Sequence, residues 1–359
     1  MKVIDANKLS DLATALAAAG YRVVAPVRDG QEIRMQEWKP GAAIDTGAVP
    51  VNSIKEFLFP RSEVIARYRL EGDDFSPEPV ATDAPKTVAL AVRPCDAAAM
   101  VMLDKVFNPG TAGVPPATAR AVPVPGWPDG WEYKDDAWNA RRAATTIVPV
   151  VCTAADQDCF CTSVGGAPDA TTGADAMLRP ADGGRKFILQ PLGPKGRALV
   201  AAAGAVLSEG DAKADPPAQV PVRFDAKAVT EWCGENFESP LWHEVSLACL
   251  GCGACAYCCP TCHCFDIQDE ATRTESVRLR NWDTCGLSLF TLHSSGHNPR
   301  PDQASRWRQR VMHKFSYFVE RFGSLACTGC GRCARLCPGG MAIAQVCQEI
   351  DEARKAAVK

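Results

Sequence analysis

The chain has 359 residues, 47% of them hydrophobic, and a formal charge of −3; that is room for two domains with cores and too even a charge for general nucleic-acid or membrane-surface binding. No apolar run reaches the roughly 18 residues of a membrane helix, and the opening MKVIDANKLSDL has no apolar signal region, so a soluble, cytoplasmic protein without a membrane span is expected. Eighteen cysteines in a reducing compartment point to metal rather than disulfides, and thirteen of them fall between Cys249 and Cys347.

The N-terminal part reads as α/β. Ala6 to Ala19 has helical periodicity with Asp5 as its cap. Tyr21–Val27 and Gln31–Trp38 read as strands around an Asp29-Gly30 turn. VALAV (88–92) and TIVPVV (146–151) read as buried strands, each closely followed by a cysteine. Ala198–Leu207, short and Ala-rich, reads as a buried helix or strand. The Pro-rich stretches Pro109–Pro128 and Ala212–Pro221 read as loops or linkers, and the second marks the domain boundary. A short helix is expected over Lys227–Asn236.

Beyond it the cysteines take over. Cys249, Cys252, Cys255 and Cys259-Pro260 follow C-x2-C-x2-C-x3-C-P, and Cys327, Cys330, Cys333 and Cys337-Pro338 repeat it. This is the spacing of bacterial two-cluster ferredoxins, in which the fourth cysteine of each run serves the other cluster. One [4Fe–4S] cluster is therefore assigned to Cys249, Cys252, Cys255 and Cys337, and the other to Cys327, Cys330, Cys333 and Cys259. A zinc site normally pairs two C-x2–4-C knuckles, which the repeated triplets do not match. Cys259-Pro-Thr-Cys262-His263 also fits the C-x-x-C-H haem motif, but Cys259 is already taken and no export signal precedes it.

A long insertion, Phe265 to Ala326, separates the two runs. From Arg273 to Arg321 it carries nine Lys or Arg against four Asp or Glu. Arg306, Arg308, Arg310 and Lys314 read either as a solvated basic helix face or as a surface that docks an acidic partner. His293, His297 and His313 read as structural, and Cys258 as a bystander.

Further stretches carry a resemblance: NSIKEFLFPRSE (52–63), VRPCDAAAM (92–100), CFCTSVGG (159–166), CPTCHCFD (259–266), RNWDTCG (280–286), SGHNPR (295–300), RQRVMHKFSY (308–317) and CTGCGRCARLCP (327–338). With these the chain resembles the iron–sulfur subunit family that includes the beta subunit of sulfhydrogenases and the iron–sulfur subunit of anaerobic sulfite reductase. The resemblance implies an electron-transfer subunit of a multi-subunit complex. Its partners would be a flavin-containing subunit that uses NAD(P)H and a catalytic redox subunit of hydrogenase, sulfite-reductase or disulfide-reductase type. Cys258 and the tail GGMAIAQVCQEI depart from the family's form.

Four cysteines in the N-terminal half, Cys95, Cys152, Cys159 and Cys161, stand at signature positions. They make a ligand set for a third [4Fe–4S] cluster, against the alternative of buried structural thiols. Cys262, Cys264 and Cys285 form a further group that could hold a cluster with one other ligand or exchange with the N-terminal set. Cys233 and Cys347 read as packing residues. No Walker motif, no G-x-G-x-x-G after a strand and no Ser/His/Asp set is present, so no reaction of the chain's own is expected. The alternatives are a self-contained iron–sulfur enzyme with an open-site cluster, and a redox sensor. The expected fold is α+β: an N-terminal α/β domain, 1–225, then a two-cluster ferredoxin-like domain, 226–359, with its insertion at about 265–326.

Overall fold

The computed structural model describes residues 1–71, 74–108 and 134–357. The Pro109–Pro128 stretch lies outside them. The described strands are β1 (Lys2–Asp5), β2 (Arg22–Asp29), β3 (Glu32–Glu37), β4 (Ser62–Glu71), β5 (Asp74–Pro79), β6 (Thr87–Val92), β7 (Thr145–Pro149), β8 (Ala176–Ala181), β9 (Lys186–Pro191), β10 (Ser208–Glu209), β11 (Phe265–Ala271) and β12 (Glu275–Trp282). They make three four-stranded sheets with orders β3-β2-β6-β7, β10-β1-β9-β8 and β11-β12-β4-β5.

The first sheet is mixed. β2 and β3 form a hairpin whose Asp29↔Glu32 pairing leaves a two-residue turn, and Gly30 supplies its positive φ of 60°. β2, β6 and β7 run parallel. All six residues of β6 are buried, as a parallel strand covered on both faces requires. The second sheet is antiparallel and joins the first through a Val150↔Leu178 bridge. The helices Leu9–Ala18 and Pro194–Ala203 close one core over these two sheets, with Leu12, Leu16 and Leu199 fully buried. The helix Pro94–Phe107, Trp138 and Trp282 close the core on the other face of the first sheet.

The third sheet crosses the expected boundary. β11 and β12 come from the insertion, and β12 pairs antiparallel with β4 over Glu275↔Arg69 to Asn281↔Ser62. Arg280 fastens the junction by ion pairs to Glu63 and Asp135. Half of the insertion is thus a hairpin added to a strand pair of the N-terminal region. The other half is the helix Gln303–Met312, continued through a π-helical turn, His313–Tyr317, into Phe318–Phe322. It packs with the helices Ala226–Glu235 and Ile343–Ala357 around a C-terminal core that includes Trp242, Phe315 and Ile350. Asp225 caps Ala226–Glu235 by accepting from the N–H groups of Lys227 and Ala228. Among the described residues no helix is long and apolar enough to cross a membrane.

Candidate iron–sulfur sites

The repeated spacing yields a repeated backbone. Gly251 and Gly253 flank Cys252 with φ of 68° and 73°, and Gly329 and Gly331 flank Cys330 with φ of 65° and 73°. An L side chain is strained in this region. Each loop then enters a single helical turn, Ala254–Tyr257 or Arg332–Arg335, that carries the third cysteine.

The two runs reach across to each other. Cys249, Cys252, Cys255 and Cys337 line one cavity, together with Cys285. Behind Cys337, Gly339 packs so tightly on the first run that a Cβ there would sit 2.3 Å from the Ala248 carbonyl. In the other direction, Thr261, two residues after Cys259, donates from its hydroxyl to the carbonyl of Ala326 at 2.7 Å, next to Cys327. Cys259 is within electrostatic reach of Cys327, Cys330 and Cys333. Cys337 thus shares a cavity with the first run's triplet, and Cys259 lies near the second run's triplet as well as Cys255 of its own.

The four N-terminal cysteines also come together. Cys95 sits in the first turn of the helix that Pro94 opens, directly after β6, and Cys152 follows β7. β6 and β7 are parallel neighbours, so both thiols emerge at the same carboxyl edge of the sheet, where open α/β sheets bind ligands. The ladder shifts register between Leu90 and Val92, with Ala91 at a φ of 54°; such bulges re-aim the chain beside functional sites. Cys159 and Cys161 arrive from the loop ahead of Gly165. Together with Cys330 the four line one cavity.

This third cavity abuts the second triplet directly. Phe160 N–H donates to Gly329 O at 2.8 Å. Between them lies an ion pair, Arg332 Nη1 to Asp96 Oδ1 at 2.6 Å and Nη2 to Oδ2 at 2.8 Å, with both side chains 0% exposed. Asp96 follows Cys95, and Arg332 lies between Cys330 and Cys333.

Burial dominates the thiols. It pushes Cys327 up to about 12 and Cys330, Cys159 and Cys161 up to about 11, since a thiolate is disfavoured away from water. Cys259 goes the other way. The Cys262 thiol donates to it, and against the cost of burial Lys314 and Arg310 help hold it well below the ordinary value.

Lys314 and Arg310 correct the sequence reading. Both are 4% exposed rather than part of a solvated or docking face. Lys314 Nζ donates to Cys259 Sγ at 3.3 Å, Thr261 Oγ1 at 2.9 Å and Ala326 O at 2.8 Å. Arg310 donates to Cys255 O at 2.9 Å and Cys262 Sγ at 3.6 Å, and its Nε is buried with no partner. Arg306 turns back onto the carbonyls of Arg300 and Pro301, and Arg308 onto Phe237 O. The physical reason is that the charges facing this helix are sulfur, not water. Lys55 is a residue to which sequence reasoning gave no role. It is 2% exposed and donates to Cys262 O at 2.9 Å, with its ammonium 3.7 Å over the Trp282 ring. Beside Glu56 in NSIKEFLF it reads as an ordinary surface lysine, so the sequence carried no clear signal for it.

The group Cys262, Cys264 and Cys285 divides. Cys262 hydrogen-bonds Cys259, while Cys264 hydrogen-bonds Cys285 and is lowered to about 6. Among the described residues no three His, Cys, Asp or Glu side chains stand close enough to hold a single metal ion; the thiols ring cavities instead. Cys233 and Cys347 are fully buried in the C-terminal core. Cys258 is half-buried and donates to Cys255 O. His263 packs on His313, and burial lowers the two to about 4 and about 3, in keeping with structural, neutral rings.

The residues fit anionic clusters. Lys55, Arg310 and Lys314 form no ion pair with a carboxylate among the described residues, and buried charges are costly unless compensated. A cube held by four thiolates is a net anion at the place these cations face.

A family model described as a 4Fe-4S dicluster domain matches residues 248–341. The chain is also 38% identical over 117 residues to sulfhydrogenase 2 subunit beta of Pyrococcus furiosus, an alignment covering 32% of this chain and 34% of that protein. The chain thus spans about a third of the curated relative it matches. Together these matches support an iron–sulfur electron-transfer subunit family. No solved structure matches.

Proposed function

We propose that the chain is the electron-transfer subunit of a cytoplasmic multi-subunit oxidoreductase. It relays single electrons between a flavin-containing subunit of NAD(P)H type and a catalytic redox subunit. Cys249, Cys252, Cys255 and Cys337 would hold one [4Fe–4S] cluster, Cys327, Cys330, Cys333 and Cys259 a second, and Cys95, Cys152, Cys159 and Cys161 a third. Such clusters supply one-electron steps at potentials set by their surroundings.

The observation that carries the reading is contiguity. Cys330 of the second set is also in the wall of the N-terminal cavity, and Cys255 of the first set lies within electrostatic reach of Cys333 of the second. The three sites therefore follow one another in a row, with the second in the middle. A row has two ends, as a relay between two partners needs. The N-terminal residues around Cys95 and Cys161 would face one partner, and the exposed edge at Cys252 the other.

The test is an anaerobic preparation assayed for iron and by EPR. About twelve iron per chain is expected, three four-iron cubes, with about eight after substituting Cys152 and Cys159 together by alanine. A parent with about eight removes the third cluster, and one with no cubane signal removes the relay. Cys259→Ala and Cys337→Ala should each damage the cluster whose other three ligands lie in the opposite run.

A further inference from the structure

The first and second sets are surrounded differently. The side-chain donor on a thiol of the first set is a neutral amide, Gln303 Nε2, which donates to Cys249 Sγ at 3.0 Å; Arg306 and Arg310 stand in the wall of that cavity without donating to its sulfurs, and Cys252 is open to water. Against the second stands a full charge. Lys314 lies in the π-helical turn His313–Tyr317, a distortion frequent at functional sites. Its Nζ reaches Cys259 Sγ at 3.3 Å, and its other two partners are a hydroxyl and a carbonyl, both neutral. Arg310, one turn earlier, is tied to Cys255 O and Cys262 Sγ and lines the first set's cavity, so it lies between the two sets and does not distinguish them. Arg332, the third cation near this set, is neutralised by its two-point pair with Asp96.

We infer that Lys314 sets the reduction potential of the cluster bound by Cys259, Cys327, Cys330 and Cys333 above that of the cluster bound by Cys249, Cys252, Cys255 and Cys337. This rests on the relay reading above. Reduction adds one electron and one unit of negative charge to a cluster, and no bond is made or broken. A fixed cation favours the more negative form, and does so more strongly where water is excluded. At the first set, water at Cys252 screens the charges in the cavity wall, and the group on the thiol itself is a neutral amide. Of these two clusters, the second is then where a single electron rests.

The test is EPR-monitored redox titration of the whole chain, anaerobic, with Lys314→Gln and Lys314→Arg. Lys314→Gln should lower one midpoint by at least tenfold in the one-electron equilibrium, 59 mV, and leave the others in place. Lys314→Arg, which keeps the charge, should move it far less. The moved signal is assigned by its loss in Cys259→Ala. An intact cluster with an unmoved potential in Lys314→Gln overturns the inference, as do equal shifts in both variants. If Lys314→Gln sheds its iron, Lys314→Met applies the same measurement with the charge removed. If that variant also sheds iron, the lysine serves assembly and the inference falls. A parent without cubane signals would instead sink the relay reading, so the two failures are told apart.

Discussion

The Cys249–Cys259 run and the Cys327–Cys337 run share their spacing, their two left-handed glycines and their single helical turn. Their surroundings differ. Cys252 is exposed, while its counterpart Cys330 is 9% exposed and Cys327 7%. A Cβ on Gly251 would meet only the flexible end of Gln303 at 2.9 Å, whereas one on Gly329 would meet the backbone of Phe160 and Cys161 at 2.5 Å. Spacing fixes how a loop offers its thiols. What the loop is pressed against fixes how wet and how charged that site is, and this comes from chain hundreds of residues away.

The sharpest way to break the comparison is the ion pair behind the second run. Asp96→Asn leaves Arg332 charged at 0% exposure. Losing one partner of a buried pair costs about 3–5 kcal/mol, so anaerobic urea unfolding should show a loss of that size. The matching pair on the next turn, Arg335–Asp156, is 24% and 23% exposed. Asp156→Asn should therefore cost about 1 kcal/mol or less, as partly solvated pairs do. Equal losses would mean that the second run is no more tightly held than its rim.

The same contrast explains what could be read in advance. The helix after Asp5, the Asp29-Gly30 hairpin, the helix expected over Lys227–Asn236 and the two cysteine runs are local patterns, and they were legible. The pairing of β12 with β4 was not, because it joins residues about two hundred positions apart in alternations too weak to announce a shared sheet. Arg310 and Lys314 misled for a physical reason. On an amphipathic helix, cations are assigned to water unless an anion is in view. Among the described residues the counter-charge facing them is sulfur, which a helix-face reading counts as apolar. Asp96 and Arg332 each sat beside a noted cysteine, and only the fold shows that they meet.

A second measurement sharpens the glycine difference. Gly251→Ala carries only the strain of a left-handed non-glycine residue, about 1–3 kcal/mol. Gly329→Ala carries the same strain and must also push the Phe160–Cys161 backbone aside. Overpacking of this kind adds about 1–3 kcal/mol, and it falls where the second and N-terminal cavities join. Thermal unfolding should rank Gly329→Ala well below Gly251→Ala. Iron release to a chelator should also be faster in Gly329→Ala. The comparison weakens if the two glycine variants unfold together.

The smallest effect is expected at Arg308, on the surface of the same helix that buries Arg310. Arg308 donates to Phe237 O at 3.0 Å, lies 3.8 Å from the centre of the Phe237 ring and pairs with Glu238, which is 83% exposed. Exposed pairs contribute about 0.2–1 kcal/mol, and an exposed cation–π contact about 0.5–1 kcal/mol. Arg308→Ala should therefore lower stability by about 1 kcal/mol and leave all cluster midpoints unmoved, in contrast to Lys314→Gln. Since its charge is already matched by Glu238, it offers little field to a docking partner beyond the roughly 8–10 Å that salt leaves unscreened. Electron transfer to a partner should then show the same salt dependence in Arg308→Ala as in the parent. A rate that drops at low salt and recovers at high salt would restore the outer face of this helix as a docking surface, and would separate its role from that of the two cations turned inward.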